Sequence, residues 1–294
     1  MQYIQSSPQS EFTAPLMPTS LQVGTHIPAL KRAEAMQMSA EELRRFIAFI
    51  ETLADDDWNQ PTACTLWTVK DIVSHQAAHV VSLTGFTNFV SQQSPFALRP
   101  YLKRGMSMLD AWNQSEVDKR RDHKPDDIIT EIRSAAEKSL RGRNRIPAFL
   151  RAPNLPLPGL DQSRSLGYLF DVIYTRDMWM HRLDIHNAIG RVMPLDAGHD
   201  RRMVELIVRD LAYKAVKGLN GRAMELHLTS AAGGVFHIGA NVAPSATVEL
   251  DVPAFASLTS GRENADNVVD RVGLSGDTTF GHEVVNYLYN RVLY

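Results

Sequence analysis

The stretch from Ser165 to Gly190 limits what this chain can fold into more than any other. Read as a helix, it lines up Leu166, Phe170 and Ile173 as a buried apolar stripe, and the stripe continues into Asp177, His181 and Asp184. A core face that changes from aliphatic to ionisable is unusual, because a buried carboxylate is costly unless it is paired or bound to a metal. Asp177 and His181 are four residues apart, so their side chains lie about 5–6 Å from each other on one face. That spacing suits two ligands on one divalent cation, and it also suits a plain internal hydrogen bond.

The rest of the composition narrows the partners. A chain of 294 residues is long enough for one large or two ordinary domains with a real core. Its net charge of −2 creates no field that would recruit nucleic acid or an anionic membrane. The basic clusters, Lys119-Arg120-Arg121 and Arg141 with Arg143, read as solvated helix faces. No apolar run approaches a membrane span, and the first residues show no basic stretch followed by an apolar one, so no secretory leader is expected. One cysteine, Cys64, rules out an intrachain disulfide and fits a reducing compartment. The expectation is a cytoplasmic protein that handles small molecules, without nucleic acid or membrane.

Residues 1–26 are rich in Ser, Gln, Pro and Thr and read as an N-terminal tail. Helical periodicity runs from Ile27 to Ala54, with a capping-box pattern at Ser39 and Glu42 that predicts a break or kink there. Thr68 and Asp71 form a second such box opening a helix whose buried side is Val69, Ile72, Val73, Val80, Leu83 and Phe86. His75 and His79 fall on the flank of that side, one turn apart, as structural residues or as ligands. Two further helices are expected over 102–123 and 126–142, then a proline-rich link over 143–164 suited to a lid or site wall. Another helix follows from Ala197 to Gly218. Beyond Gly221 the period changes to two, and three alternating segments joined by turns read as a meander, followed by short helices and a terminal helix. The expected division is a helical domain over 27–218 and a small α+β domain over 219–294, the latter too short to stand alone.

Phosphate-binding glycine loops, a GxSxG elbow and the HExxH signature are absent. Nothing near Cys64 in sequence visibly activates it, and its place beside Trp67 suits a small buried thiol. What remains is the His75 region together with Asp177 and His181, on two helices of one bundle. Bundles build metal sites by projecting ligands inward from facing helices. Two imidazoles and a carboxylate would leave open positions on Zn2+, the pattern of a catalytic site. Asp184, Arg176 and Arg182 would then support the ligands, or form surface ion pairs.

The run Trp58…Pro61-Thr62-x-Cys64-x-x-Trp67-Thr68-Val69-x-Asp71-Ile72-Val73-x-His75 resembles the signature of the mycothiol-dependent maleylpyruvate isomerase family, and Arg176 to Ile185 resembles its second motif. The resemblance covers roughly residues 28–294. It implies a DinB-like four-helix bundle binding a divalent metal, usually zinc, followed by a small sterol-carrier-like α+β domain that carries the Ser260-Gly261-Arg262 and Gly276-Asp277 pieces. It implies His75, rather than His79, as the first metal ligand, with Asp177 and His181 as the others. In the isomerase of that family the acidic ligand is Glu, whereas Asp177 is one methylene shorter. The resemblance further implies mycothiol or another low-molecular-weight thiol as co-substrate, attacking a small electrophile in an isomerase or S-transferase reaction. An arginine from the C-terminal domain is expected to hold the anionic substrate or the thiol: Arg291 is the first candidate and Arg262 the second, with His79 alongside. The competing reading is a non-catalytic bundle and carrier pair that binds a small molecule, its metal site structural or empty.

Overall fold

The computed structural model describes residues 20–92, 94–155 and 164–292. The helices in chain order are α1 (Arg32–Ile50), α2 (Val69–Ser82), α3 (Phe86–Gln92), α4 (Pro95–Leu102), α5 (Met108–Lys119), α6 (Pro125–Arg145), α7 (Ala148–Arg151), α8 (Leu166–Tyr168), α9 (Tyr174–Ala188) and α10 (His199–Gly218). After α10 the chain alternates strands and helices: β4 (Ala223–Thr229), β5 (Gly234–Gly239), β6 (Ala246–Asp251), α11 (Val252–Thr259), α12 (Ala265–Val268), β7 (Gly273–Gly276) and α13 (Thr278–Leu288). Three two-residue strands precede them, β1 (Gln22–Val23), β2 (Asn154–Leu155) and β3 (Arg164–Ser165).

Local chemistry explains the helix starts. The Thr68 side chain accepts from the Asp71 amide while Asp71 accepts from the Thr68 amide, closing the box that opens α2. Pro125 occupies the first turn of α6, where its missing N–H is not needed, and Asp126 and Asp127 face the helix's positive end. The expected break at Ser39 is absent. α1 runs through it unbroken, because Ser39 is buried and its hydroxyl accepts from Arg143 of α6 instead of capping a helix. The single helix expected over 102–123 is also corrected: α4 ends at Leu102, and Gly105 at φ +83 makes the turn before α5. The lid or site wall expected over 143–164 begins as α7 and closes as the β2–β3 ladder; its middle lies outside the described residues.

The opening helix is observed, with one local change. A π turn at Leu169–Ile173 joins α8 to α9, widening the coil where the apolar stripe gives way to Asp177. Such turns shift the phase of a helix by a residue and are frequent beside functional sites. α9 is buried nearly all round. Met178 and Ile185 pack with Phe46 of α1, Ile72 and Val73 of α2 and Ile128 and Ile132 of α6. Trp179, Met180 and Leu183 pack instead with α10 and the sheet. With both flanks taken by core, the remaining side of α9 carries Asp177, His181 and Asp184 into the interior.

The sheet is five-stranded and mixed, in the order β1-β5-β4-β6-β7. It is therefore no meander. β6 lies parallel to β4, Leu226 opposite Val248, and not antiparallel to β5. β5 runs antiparallel to β4 and so ends beside its start, and the short connection over 240–245 passes that end to place β6 on the other side. Alternation shows which residues face the core, but two orders of neighbours satisfy the same alternation. The last residues of the expected tail are also part of the sheet: Gln22 and Val23 pair with Phe236 and His237 as a parallel edge strand. Residues 1–19 lie outside the described residues. α10 lies against β5, and Leu206, Ile207, Leu211 and Ala215 share one core with Leu226, Phe236, Val248 and Phe255. Among the described residues no helix is long and apolar enough to cross a membrane.

Candidate metal centre

Neighbouring helices α2 and α9 and two loops build the site. α2 contributes His75 and His79, one turn apart. α9 contributes Asp177, His181 and Asp184. The loop before α2, pinned by the Pro61–Thr68 bridge, brings Cys64 and Trp67. The turn after α11 brings Arg262, presented by Gly261 at φ +79, where an added Cβ would meet Asn290 at 3.0 Å.

Three imidazoles surround the Asp177 carboxylate. His75 Nε2 lies 3.3 Å and His79 Nδ1 3.2 Å from Oδ2, and His181 Nε2 lies 3.5 Å from Oδ1. His75, His79 and Asp177 offer donor atoms that all lie within 4.8 Å of one another; Cys64, His181 and Asp184 form a second such group. The two groups share the space around Asp177, since His75 and His181 rings are 5.2 Å apart and His75 and His79 rings 4.1 Å apart. Gln76 donates to Asp177 Oδ2 at 2.6 Å. Trp67 lies over His75, with ring centres 4.9 Å apart, and its indole N–H donates to Gln114.

The electrostatics follow from burial. Burial pushes His75 down to about 3, and the neighbouring His79 adds to the effect. Burial also disfavours charge on His181, but Asp177, the bond to Asp184 and Cys64 outweigh it and hold His181 up at about 10. Burial opposes ionisation of Asp177, yet His181, His75 and His79 keep its carboxyl well below the usual range. Asp184 is likewise lowered, Arg262 and His181 outweighing its burial. One imidazole is thus neutral and one charged beside the same carboxylate. His75 Nδ1 is buried without a hydrogen-bond partner, and His79 Nδ1 faces Asp177 Oδ2 at 3.2 Å without the alignment of a hydrogen bond; buried polar nitrogens are seldom left so.

His75, Asp177, His181 and His79 converge, as the expected ligands would need to. Arg262 reaches the site as well: its Nε donates to Asp184 Oδ1 at 2.5 Å and Nη2 to Oδ2 at 2.8 Å. Asp184 in turn lies 2.9 Å from His181 Nδ1. Arg291 does not reach it. Its guanidinium folds back over the Tyr287 ring at 4.5 Å and donates to the Tyr287 carbonyl. Arg176 and Arg182 are neither supports of these ligands nor surface pairs. They are buried on Asp210 and on Glu42 with Asp200. The group that sequence reasoning undervalued is Cys64, 3.8 Å from Asp184 Oδ2 and 3.9 Å from Arg262 Nη2. Its position between a turn and Trp67 carried no sign of partners 120 and 198 residues away.

The family model described as the mycothiol maleylpyruvate isomerase N-terminal domain matches residues 39–186, half of the chain and the span that holds every imidazole of the site. The chain belongs to this family. Two solved structures share the fold: the mycothiol-dependent maleylpyruvate isomerase and a histidine-to-alanine mutant of it. Each superposes with a TM-score of 0.53 at 13% identity, over 87% of this chain and 96% of that one. No curated protein matches the chain.

Proposed function

We propose that this protein is a metal- and thiol-dependent enzyme of the maleylpyruvate isomerase type, an isomerase or S-transferase acting on a small electrophile. The observation that carries the reading is the ring of buried imidazoles about one carboxylate, with His75 Nε2, His79 Nδ1 and His181 Nε2 all turned to Asp177. His75, Asp177 and His181 would hold one divalent cation, and a nitrogen-and-oxygen set of three suits zinc with a position left open. Such a cation, when bound, supplies the charge that keeps a low-molecular-weight thiol, mycothiol by the family's name, as thiolate near neutral pH.

The chain's own groups prepare the place. Asp184 fixes the His181 ring through Nδ1, which leaves Nε2 for the cation, and Arg262 holds Asp184 in turn. Gln76 orients the Asp177 carboxylate. Trp67 covers the His75 ring and limits water there. We read the α1, α2, α6 and α9 group as a DinB-like four-helix bundle and the sheet with α11–α13 as sterol-carrier-like. α10 shares one core both with the sheet and with Trp179, Met180 and Leu183 of α9, so we read it as the helix on which the two parts pack. A single cysteine suits a reducing, cytoplasmic setting.

One observation favours a second reading. Gln76, His75 and His181 already satisfy the Asp177 oxygens, so the cluster is able to stand as a closed hydrogen-bonded core in a non-catalytic binding protein. Metal analysis of protein purified without chelator separates the two. About one zinc per chain, lost in His75→Ala and His181→Ala while the fold survives, supports the enzyme. A metal-free wild type of full thermal stability defeats it. Screening the zinc-loaded protein for thiol conjugation would then sort isomerase from transferase.

A further inference from the structure

A cavity of about 540 Å3 opens at the far end of α2, beyond the metal cluster. Its apolar lining comes from Leu83, Phe89, Ile146, Leu150, Leu166 and Phe170. Its other wall is cationic: Lys138, Arg141 and Arg145 stand on one side of α6. Arg141 is paired with Glu137, whereas Lys138 and Arg145 have no carboxylate partner among the described residues. The volume falls within the range of small-molecule sites, which pair apolar walls with a few placed charges.

The two uncompensated cations outweigh the local backbone field. α2 and α6 both end near the cavity, and each helix C-terminus contributes about half a negative charge. Together these cancel roughly one of the two cations and leave a net positive wall. The walls are held at close range by Gly142, where an added Cβ would stand 2.0 Å from the Leu83 carbonyl oxygen. α6 therefore meets the end of α2 directly, with the three cations set beside apolar groups. Phe170 and Tyr174, with rings 6.0 Å apart, separate the cavity from His79, and so from the cation cluster.

We infer that this cavity is a second binding site, for an amphipathic anion: a carboxylate or sulfonate on an apolar body of medium-chain alkyl or bicyclic aromatic size. The anion faces Lys138 and Arg145, and the apolar body lies against Leu83, Leu150 and Phe170. The site does not depend on the bound cation. Titration of the full-length protein with 1-anilinonaphthalene-8-sulfonate, followed by fluorescence, tests this. One saturable site per chain is expected, unchanged in His181→Ala. Competition by decanoate and by 1-naphthoate tells an acyl source from an aromatic one, and displacement by either supports the site.

Charge reversal in Lys138→Glu/Arg145→Glu is expected to weaken the sulfonate by about ten-fold or more, from the Coulomb energy of two surface charges, while leaving displacement by neutral decanol unchanged. Leu150→Glu, at an exposed position on the cavity wall, is expected to abolish binding. The inference is overturned if the dye binds without saturation, or if neither variant changes its affinity. It is equally overturned if decanol competes as well as decanoate and the charge reversal has no effect.

Discussion

Around Glu42 and Asp200 the buried charges close on one another, and around Asp177 they do not. Both groups lie against α9 and both are nearly free of solvent. In the first, Arg182 donates to Glu42 Oε1 at 2.8 Å and to Asp200 Oδ1 at 2.9 Å. Arg45, the Trp179 indole and the Asp196 amide take the other Asp200 positions, and His199 meets Glu42 at 2.8 Å. Guanidinium groups are permanently charged and carry several donors, so two carboxylates are satisfied without help. In the second group the charged partners of Asp177 are imidazoles, whose charge is conditional, and the spare Nδ1 of His75 is left unmet. Although Glu42, His199 and Asp200 could geometrically hold an ion, Arg182 and Arg45 already stand where a cation would be drawn. The contrast separates a strut from a site.

Breaking the strut should have the largest effect. Arg182→Met removes the guanidinium shared by Glu42 and Asp200, leaving Glu42 with His199 alone, and should lower unfolding free energy by about 3–5 kcal/mol in denaturant titrations, with zinc content unchanged. His181→Ala should lose the metal, with a smaller fall in the melting transition near neutral pH than Arg182→Met. Next, Asp184→Asn or Arg262→Ala should weaken zinc about 10- to 100-fold, as loss of a group that orients a ligand does. Competition with a chromophoric chelator measures it, and an unchanged affinity would mean that Arg262 merely joins the two halves.

A pH series sharpens the comparison further. In the cation-free protein, His75 is held down at about 3 against an ordinary 6.5, so its contribution is complete above 6.5 and is lost as pH falls toward 3. His181 is held up at about 10, so its contribution is complete below 6.5 and is lost as pH rises through 10. The melting temperature should therefore peak near pH 6.5, and His181→Ala should flatten the alkaline side. Because His181 must be neutral to ligate, zinc uptake at pH 7 should release protons, measurable in weakly buffered calorimetry. The smallest effect is expected at the surface. Arg44→Ala removes an exposed pair with Glu41 and should leave the melting temperature unchanged within error.

Much of the site could be read one helix at a time. The four-residue step from Asp177 to His181 and the step from His75 to His79 are properties of helical repeat, and the boxes at Thr68 and Asp71 marked where α2 begins. The belief that α9 is buried on the face bearing those residues also followed from its apolar stripe. What escaped was every contact between distant segments. Cys64 and Arg262 meet at Asp184, 120 and 78 residues away, and neither is announced by a local pattern. Arg291 was expected on the terminal helix, yet α13 ends at Leu288 and the Arg291 side chain turns back on Tyr287. Ser39 looked like a helix cap only because the Arg143 donor that occupies it lies on another helix.

The chain alone determined where α2 and α6 begin, which faces are apolar, and that ionisable groups must enter the core along one helix. Those are consequences of backbone period and side-chain chemistry over a few residues. Tertiary packing decided that three imidazoles share one carboxylate, that β6 pairs in parallel beside β4, that Gln22 and Val23 join the sheet, and which arginine reaches the site. Each of these depends on how separate elements dock. Docking is set by the fit of whole surfaces, which no single segment contains.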